Sequence, residues 1–260
     1  MALIYNLDHI LDKQTKTNIR KALAFLEKAY YRKVETTSFF LDPYEQKVIS
    51  DIATKNNIDI AFIGGNPDAE RKMFVANYYY LPLYEPNYLS VLEFDSCEIS
   101  HPDVLGALLS LGVDRNQIGD ISILDSRVEF VIDKGIASFV EFNLTKIKNE
   151  KIQLKEKEAG QISLIPLEYE YHKGFVSSRR LDNLVAEFIS TSRGKAKELV
   201  AARMVKVDFQ TIDNPSYRVN ESSLISIRKN GRFIYDSISG LSKKGNYHIE
   251  YRKIKWYIYL

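Results

Sequence analysis

Apolar residues recur at helical spacing through residues 8–31, where Ile10, Leu11, Ile19, Leu23, Phe25, Leu26 and Tyr30 stand among charges. The spacing predicts a helix, interrupted near Thr15-Lys16-Thr17. Asp42-Pro43 gives a cap and a first-turn proline to a second helix, which runs through Val48, Ile49, Ile52 and Ala53 to Asn56-Asn57. Ile58-Asp59-Ile60-Ala61-Phe62-Ile63 alternates briefly and then turns apolar, as a buried strand does, and Gly64-Gly65-Asn66-Pro67 ends it. A short helix around Ala69–Met73 and a strand over Phe74–Tyr79 complete a small α/β domain, expected over residues 1–82. Leu81-Pro82-Leu83-Tyr84-Glu85-Pro86-Asn87 reads as a linker.

The next elements are a strand (Leu89–Phe94), a helix (Pro102–Leu111), two strands (Asp120–Leu124, Val128–Ile132), a helix (Lys134–Phe142) and a last strand pair near Ile152–Leu154 and Ile162–Tyr169. The order β-α-β-β-α-β is ferredoxin-like, an arrangement also used by RNA-recognition modules, and is expected over residues 83–173. Charge-rich residues 148–158 suit a solvated edge strand or hairpin. His172-Lys173-Gly174-Phe175 reads as a second linker, which leaves residues 174–260 as a third domain. The class is therefore α+β, in several domains.

Within the third domain, Leu181, Leu184, Val185 and Phe188, then Ala196, Leu199 and Val200, predict two short helices, with Ser178 and Ser192 as candidate caps. Val205-Lys206-Val207 alternates as a strand does. Strands over Leu224–Arg228, Arg232–Tyr235 and Tyr247–Leu260 follow, separated by turns at Asp213-Asn214-Pro215-Ser216, Asn230-Gly231 and Lys243-Lys244-Gly245. Arg193, Lys195 and Lys197, with Arg179 and Arg180 from the other helix, would make one basic surface over a small apolar core, a shape suited to phosphates. Cations buried in ion pairs or scattered over opposite sides would defeat that reading.

Charge sharpens the picture. The chain carries 36 Lys and Arg against 34 Asp and Glu. From Val176 onward there are 16 basic and 8 acidic residues, leaving 20 and 26 for residues 1–175. A basic end for nucleic acid and an acidic remainder that is not a general polyanion binder follow from that division.

The basic segment resembles the S4 RNA-binding domain. Arg180-Leu181-Asp182, Ser192-Arg193, Ala196, Leu199-Val200 and Val205-Lys206-Val207 follow its pattern in order, and Ile225-Ser226-Ile227-Arg228-Lys229-Asn230-Gly231-Arg232-Phe233 looks like its later strand and Gly turn. Where the family usually has Gly before the strand and Asn-Gly after it, this chain has Arg203, Asp208 and Phe209. The hairpin there is expected to be built differently. Arg193, at the first turn of its helix, is the leading candidate for a bidentate phosphate contact assisted by helix N–H groups and the Ser192 cap. Lys195, Lys197, Arg203 and Lys206 would extend the surface, Arg179 and Arg180 would flank it, and Arg228 and Arg232 are secondary candidates. Asp182 would hold an Arg in place.

A second motif lies in the middle segment, where Leu105-Gly106-Ala107-Leu108-Leu109-Ser110-Leu111-Gly112 is followed by Arg115 and Gly119-Asp120-Ile121. Together with the basic segment this resembles the YlmH family of bacterial S4-domain proteins, over roughly residues 88–260. The resemblance implies a non-enzymatic RNA-binding protein of ribosome-associated quality control, on large subunits that still hold peptidyl-tRNA, with ribosomal RNA as partner and tRNA as a further candidate. From the residues themselves, Gly106 would permit close packing on the sheet and Gly112 would cap the helix. Arg115 and His101 suit either phosphate contact or pairing with Asp114 and Asp103, the second being the simpler reading.

Other chemistries find little support. No G-x-G-x-x-G or G-x-x-x-x-G-K-[ST] is present, and Gly64-Gly65 reads as a turn. His9, His101, His172 and His248 lack metal-ligand spacing, and Cys97 stands alone. No cofactor, metal or catalytic residue is expected. An S4-linked RNA-modifying enzyme would need a catalytic domain for which residues 1–175 offer no signature. The aromatic signature of RNA-recognition motifs is also missing. The other alternative is an adaptor, with protein partners on the first two domains and RNA as an anchor. No signal peptide or membrane span is read, and the expectation is a cytoplasmic monomer. Trp256, Tyr257 and Tyr259 suit base stacking or edge-strand packing equally.

Overall fold

The computed structural model describes residues 3–157, 161–243 and 245–255, and Trp256, Tyr257 and Tyr259 lie outside them. The chain divides into two compact units, the first holding residues 3–7 and 14–166 and the second residues 8–13 and 167–255 among those described.

The first unit opens with α1 (Lys13–Arg32), β1 (Thr36–Thr37), α2 (Pro43–Lys55), β2 (Ile60–Ile63) and β3 (Met73–Ala76). The expected break near Thr15 is absent, because Thr15 is buried with Asn18 and Ile19 on the packed face and the helix runs through it. Asp42 caps α2 in a capping box with Glu45, and Pro43 fills the first turn. The three strands form an antiparallel sheet in the order β1-β3-β2.

Then come β4 (Leu89–Asp95), α3 (His101–Ser110), β5 (Ile118–Leu124), β6 (Arg127–Asp133), α4 (Ala137–Asn143), the hairpin β7 (Lys146–Ile147) and β8 (Glu150–Lys151), and β9 (Lys155–Glu156). Their antiparallel sheet has the order β5-β6-β4-β9, the ferredoxin-like arrangement expected. The predicted last pair is displaced, because residues 152–154 and 162–168 form no strand, the short β9 lies between them and Tyr169 opens the first strand of the second unit. Ile162 instead makes an irregular contact, its N–H donating to the Gly65 carbonyl at 2.9 Å while its side chain enters a core.

Both faces of this sheet are covered, so β4 and β6 are buried along most of their length and carry apolar residues on both sides. Leu92, Phe94, Phe130 and Ile132 pack with Val104, Leu108 and Val140 of α3 and α4. Leu89, Val91 and Val131 point the other way, into a second core with Phe40, Ile63, Met73 and Val75. The Phe40 N–H donates to the Asn116 carbonyl at 2.9 Å, and Asp120 accepts from the Glu70 and Arg71 N–H groups at 2.6 and 3.0 Å. The face on which an RNA-recognition motif would stack bases is therefore filled with protein.

Gly112 does cap α3, with φ +84° and a Schellman pattern in which the Val113 N–H reaches the Leu108 carbonyl. Gly106 departs from expectation. It is exposed, with nothing within 4 Å of where a Cβ would stand, so its role in close packing is withdrawn. Close approach occurs instead at Gly119, where a Cβ would lie 2.9 Å from Phe40 Cε1 and from Val131 Cβ.

The second unit consists of β10 (Tyr169–Val176), α5 (Leu181–Phe188), α6 (Arg193–Ala201), β11 (Val205–Val207), β12 (Gln210–Thr211), β13 (Ser223–Ile227), β14 (Gly231–Leu241) and β15 (Tyr247–Ile254). They form one antiparallel sheet, β10-β15-β14-β13-β11-β12. His172-Lys173-Gly174-Phe175 is no linker but the middle of β10, paired with β15 from Tyr169↔Ile254 to Val176↔Tyr247. Gly174, the residue that reads as a break, is there because the Glu187 side chain occupies the space a Cβ would take. Leu181, Leu184, Val185, Ala196 and Val200 pack on Val205, Ile225, Ile227, Phe233, Tyr235 and Ile249.

Gly119→Ala should lower the urea midpoint of the first unit, by about 1–3 kcal/mol of overpacking. Gly106→Ala should raise it by up to about 1 kcal/mol, because the helix loses a flexible residue and meets no neighbour. Equal effects would refute the two glycine assignments.

Candidate nucleic-acid interface

The start of α5 does not use Ser178 as its cap. Arg180 holds the cap position without a side-chain cap bond, and the Leu181 and Asp182 N–H groups donate to the Tyr217 and Pro215 carbonyls at 2.8 and 3.1 Å. The loop before β13 thus satisfies the helix terminus through its backbone. Ser178 Oγ accepts from Asn183 Nδ2 at 2.8 Å instead. At α6 the expected cap is in place, Ser192 Oγ accepting from the Lys195 N–H at 3.2 Å.

Between the two helix starts lies Asp182, whose side chain is fully buried. Arg180 binds it bidentately through Nε (3.0 Å) and Nη2 (2.9 Å), and Arg193 Nε donates to the same carboxylate at 3.1 Å. Burial by itself would raise the Asp182 pKa, but the hydrogen bonds from Arg180 and Arg193 outweigh it and hold the group below the ordinary carboxylate range. The two guanidinium groups are anchored without being buried. Their side chains remain 32% and 47% exposed. Anchoring leaves the Arg193 terminal nitrogens with no hydrogen-bond partner among the described residues.

Helix geometry sorts the remaining candidates. Lys197 lies one turn beyond Arg193 on the same side of α6, while Lys195 is about 160° round from Lys197. Lys195 pairs with Glu198 at 3.1 Å. Arg179 is half-buried beside Arg180. Arg203 follows α6 and pairs with Asp213 at 3.2 Å, with both partners partly exposed. Lys206 and Arg232 go elsewhere. The register Lys206↔Ser226↔Arg232 puts them on the sheet face turned away from the helices, since Val205, Val207, Ile225, Ile227 and Phe233 face the core. Arg228 stands exposed in the turn after β13. A single surface over all ten residues is not what the fold makes. Arg180 and Arg193 are brought together on Asp182, with Lys197 one turn along α6 and Arg179 and Ser192 next to them in the chain, whereas Lys195 lies round the helix and Arg203 past its far end.

The expectation of a rebuilt hairpin is corrected too. Arg203, Asp208 and Phe209 have φ of 59°, 48° and 66°, the left-handed conformation that Gly or Asn-Gly adopts easily. The backbone shape is kept and the side chains tolerate it. Asp208 is held by its carboxylate, which accepts from Ser223 Oγ (3.0 Å) and the Leu224 N–H (2.8 Å), and Phe209 lies under the Arg232 guanidinium, 5.4 Å from the ring centre.

In the first unit, the Gly65 N–H donates to Glu85 at 2.7 Å, so this turn is occupied by its own chain. Asp103 pairs with Lys148 at 2.6 Å and closes a capping box with Ser100. Arg115 Nη1 donates to the Ile118 carbonyl at 2.7 Å, and burial together with nearby Arg71 lowers its pKa to about 10. Arg115 is thus engaged by its own chain, but through the Ile118 carbonyl and not through the expected Asp114, which accepts from the Asn116 N–H instead. Among the described residues no helix is long and apolar enough to cross a membrane, and no cluster of three or more His, Cys, Asp or Glu is arranged to hold a metal.

A basic helix pair over an antiparallel sheet, with its cations fixed at two helix starts, defines an S4-type RNA-binding protein. The family described as "S4 domain" matches residues 179–225, and that described as "Putative RNA-binding domain in YlmH" matches residues 82–161. The chain is 30% identical over 221 residues to "Ribosome-associated protein quality control protein P2" of Bacillus subtilis (strain 168), covering 83% of this chain and 86% of that one. It belongs to the YlmH family and is a homologue of that ribosome-associated quality control protein. Small ribosomal subunit protein uS4 of Desulfotalea psychrophila is 33% identical over 101 residues, 37% of this chain and 43% of its own length. The solved "Cell division protein ylmH from Streptococcus pneumoniae" shares the fold, with a TM-score of 0.51 and 18% identity over 59% of this chain and 95% of that one. None of these relatives is an enzyme by name.

Asp182→Asn should cost roughly 1–3 kcal/mol at neutral pH, because a charge-assisted acceptor becomes a neutral one among buried atoms. The sign with pH follows from the depressed pKa. The wild-type contribution is present above the unfolded value of about 4 and is lost as pH falls through the lower folded value. Denaturation at pH 7 and pH 3 should therefore show the two proteins converging in acid, and a constant gap would refute the assignment.

Proposed function

We propose that this chain binds structured ribosomal RNA on the large ribosomal subunit through its S4 helix pair, in the rescue of stalled complexes that still hold peptidyl-tRNA. The observation that carries the reading is Asp182 fixing Arg180 and Arg193 side by side at the exposed start of α6. Guanidinium groups oriented in advance lose little freedom when a phosphate docks, and the helix N–H groups favour the same anion. Arg179, Arg180, Ser192, Arg193, Lys195, Lys197 and Arg203 contact the backbone of folded RNA, recognised by shape and charge more than by base edges. Lys206 and Arg232 reach it only where the RNA folds round the β12 edge of the sheet, with Arg228 at the rim. The name of the B. subtilis relative supports the ribosomal setting, and the cytoplasm is where that setting lies. The protein acts by binding and has no catalytic step. Transfer RNA beside the bound subunit is a second RNA partner, and the protein works as a monomer.

Arg193→Glu should weaken binding to large-subunit ribosomal RNA at least about tenfold at 0.1 M salt and make the plot of log K against log salt shallower by about one. Arg193→Lys should fall between, keeping the charge and losing the fork. Filter binding at four salt concentrations measures both, and unchanged affinity and slope for the Glu variant would overturn the proposal.

A further inference from the structure

Helix α1 carries a second cationic surface. Between residues 13 and 33 there are seven Lys or Arg and one Glu, within a 175-residue stretch that has 20 basic and 26 acidic residues. A third of the basic charge of an acidic region is thus gathered on one helix and the residue that follows it. At 100° per residue, Arg20, Lys21, Lys28 and Arg32 fall within an arc of about 120°, spread over about 18 Å of helix axis. All four are exposed, and none has an ion pair among the described residues. The opposite side, Ile19, Ala22, Leu23, Leu26 and Ala29, is completely packed.

Aromatic rings stand at the end of this stripe. Tyr31 shares its arc and is 57% exposed, and Tyr79 and Tyr80 in the segment after β3 are 66% and 83% exposed. That segment is tied to the end of the helix. Asn77 Nδ2 donates to the Ala29 carbonyl at 2.7 Å and the Val34 carbonyl at 3.4 Å, and the Tyr79 N–H donates to Glu35 at 3.3 Å. Lys33 lies over the Tyr30 ring, 4.8 Å from its centre.

We infer that the exposed face of α1 is a second RNA contact, in which Arg20, Lys21, Lys28 and Arg32 bind successive phosphates and Tyr79 and Tyr80 stack on unpaired bases at its end. The inference rests on the RNA-binding reading above and adds to it a surface in a different unit of the chain. An anionic membrane is the poorer occupant. A basic helix binds a bilayer by burying its apolar face there, and here that face is committed to the protein core. Exposed rings beside a row of cations match what single-stranded segments of folded RNA take, phosphates on the cations and bases on the rings. The filled sheet face of the middle domain points the same way, since the first unit cannot bind bases there.

The test uses the full-length chain and deproteinised large-subunit ribosomal RNA. Arg20→Gln/Lys28→Gln/Arg32→Gln and the corresponding triple Glu variant, all at exposed positions, should make the salt plot shallower by roughly two to three. Affinity at 0.1 M salt should fall at least tenfold, additively with Arg193→Glu. Wild-type slope in both triple variants, with the loss retained in Arg193→Glu, overturns the inference and leaves the proposed function standing. Wild-type behaviour in all three variants overturns both. Loss of binding to intact subunits without loss on the bare RNA assigns the stripe to a ribosomal protein and overturns the inference.

Discussion

The second unit depends on one buried carboxylate. Asp182 is removed from water, a placement that costs several kcal/mol for an isolated ion and persists only when the charge is met on all sides. Arg180 and Arg193 meet it, one from the residue before α5 and one from the first turn of α6, so the pair of helices and the two cations are fixed by the same contact. What the interaction secures is orientation. Both guanidinium groups keep an exposed edge at the place where two helix starts converge, with their orientation fixed before any ligand arrives.

The left-handed residues around β11 express a related compromise. An L-residue in that conformation costs roughly 1–2 kcal/mol, and Arg203, Asp208 and Phe209 all adopt it where glycine would be easier. Each gives something back. Asp208 ties the hairpin to β13 through two hydrogen bonds, Phe209 supports Arg232, and Arg203 keeps a cation at the far end of α6. The last of these keeps an exposed cation, paired with Asp213, at some expense in local stability.

In the first unit the governing constraint is a sheet with both faces occupied. Phe40, Ile63, Met73 and Val75 lie on the side of the ferredoxin-like sheet that related architectures leave open for nucleic acid, and Gly119 is small so that Phe40 can approach. Architecture shared with RNA-recognition modules therefore carries no inference about where RNA goes. What the first unit offers at its surface are helices and loops, among them α1 with its row of exposed cations.

Much of this was legible in the chain alone. Alternation and helical spacing located Leu181–Phe188, Arg193–Ala201, Val205–Val207 and the βαββαβ order, because burial on one face leaves a period in the sequence. Arg193, Ser192 and the pairing role of Asp182 could be read from position and charge. What only the tertiary structure decided involves partners distant in sequence or departures from local preference. Gly174 reads as a break until Glu187 is seen to fill the space above it. Ser178 reads as a cap until the Pro215 and Tyr217 carbonyls are seen at the helix start. Lys206 reads as part of the basic surface until the strand register turns it to the other side. Local pattern reports which face of an element is buried, whereas only packing determines what covers it and which exposed charges end up together.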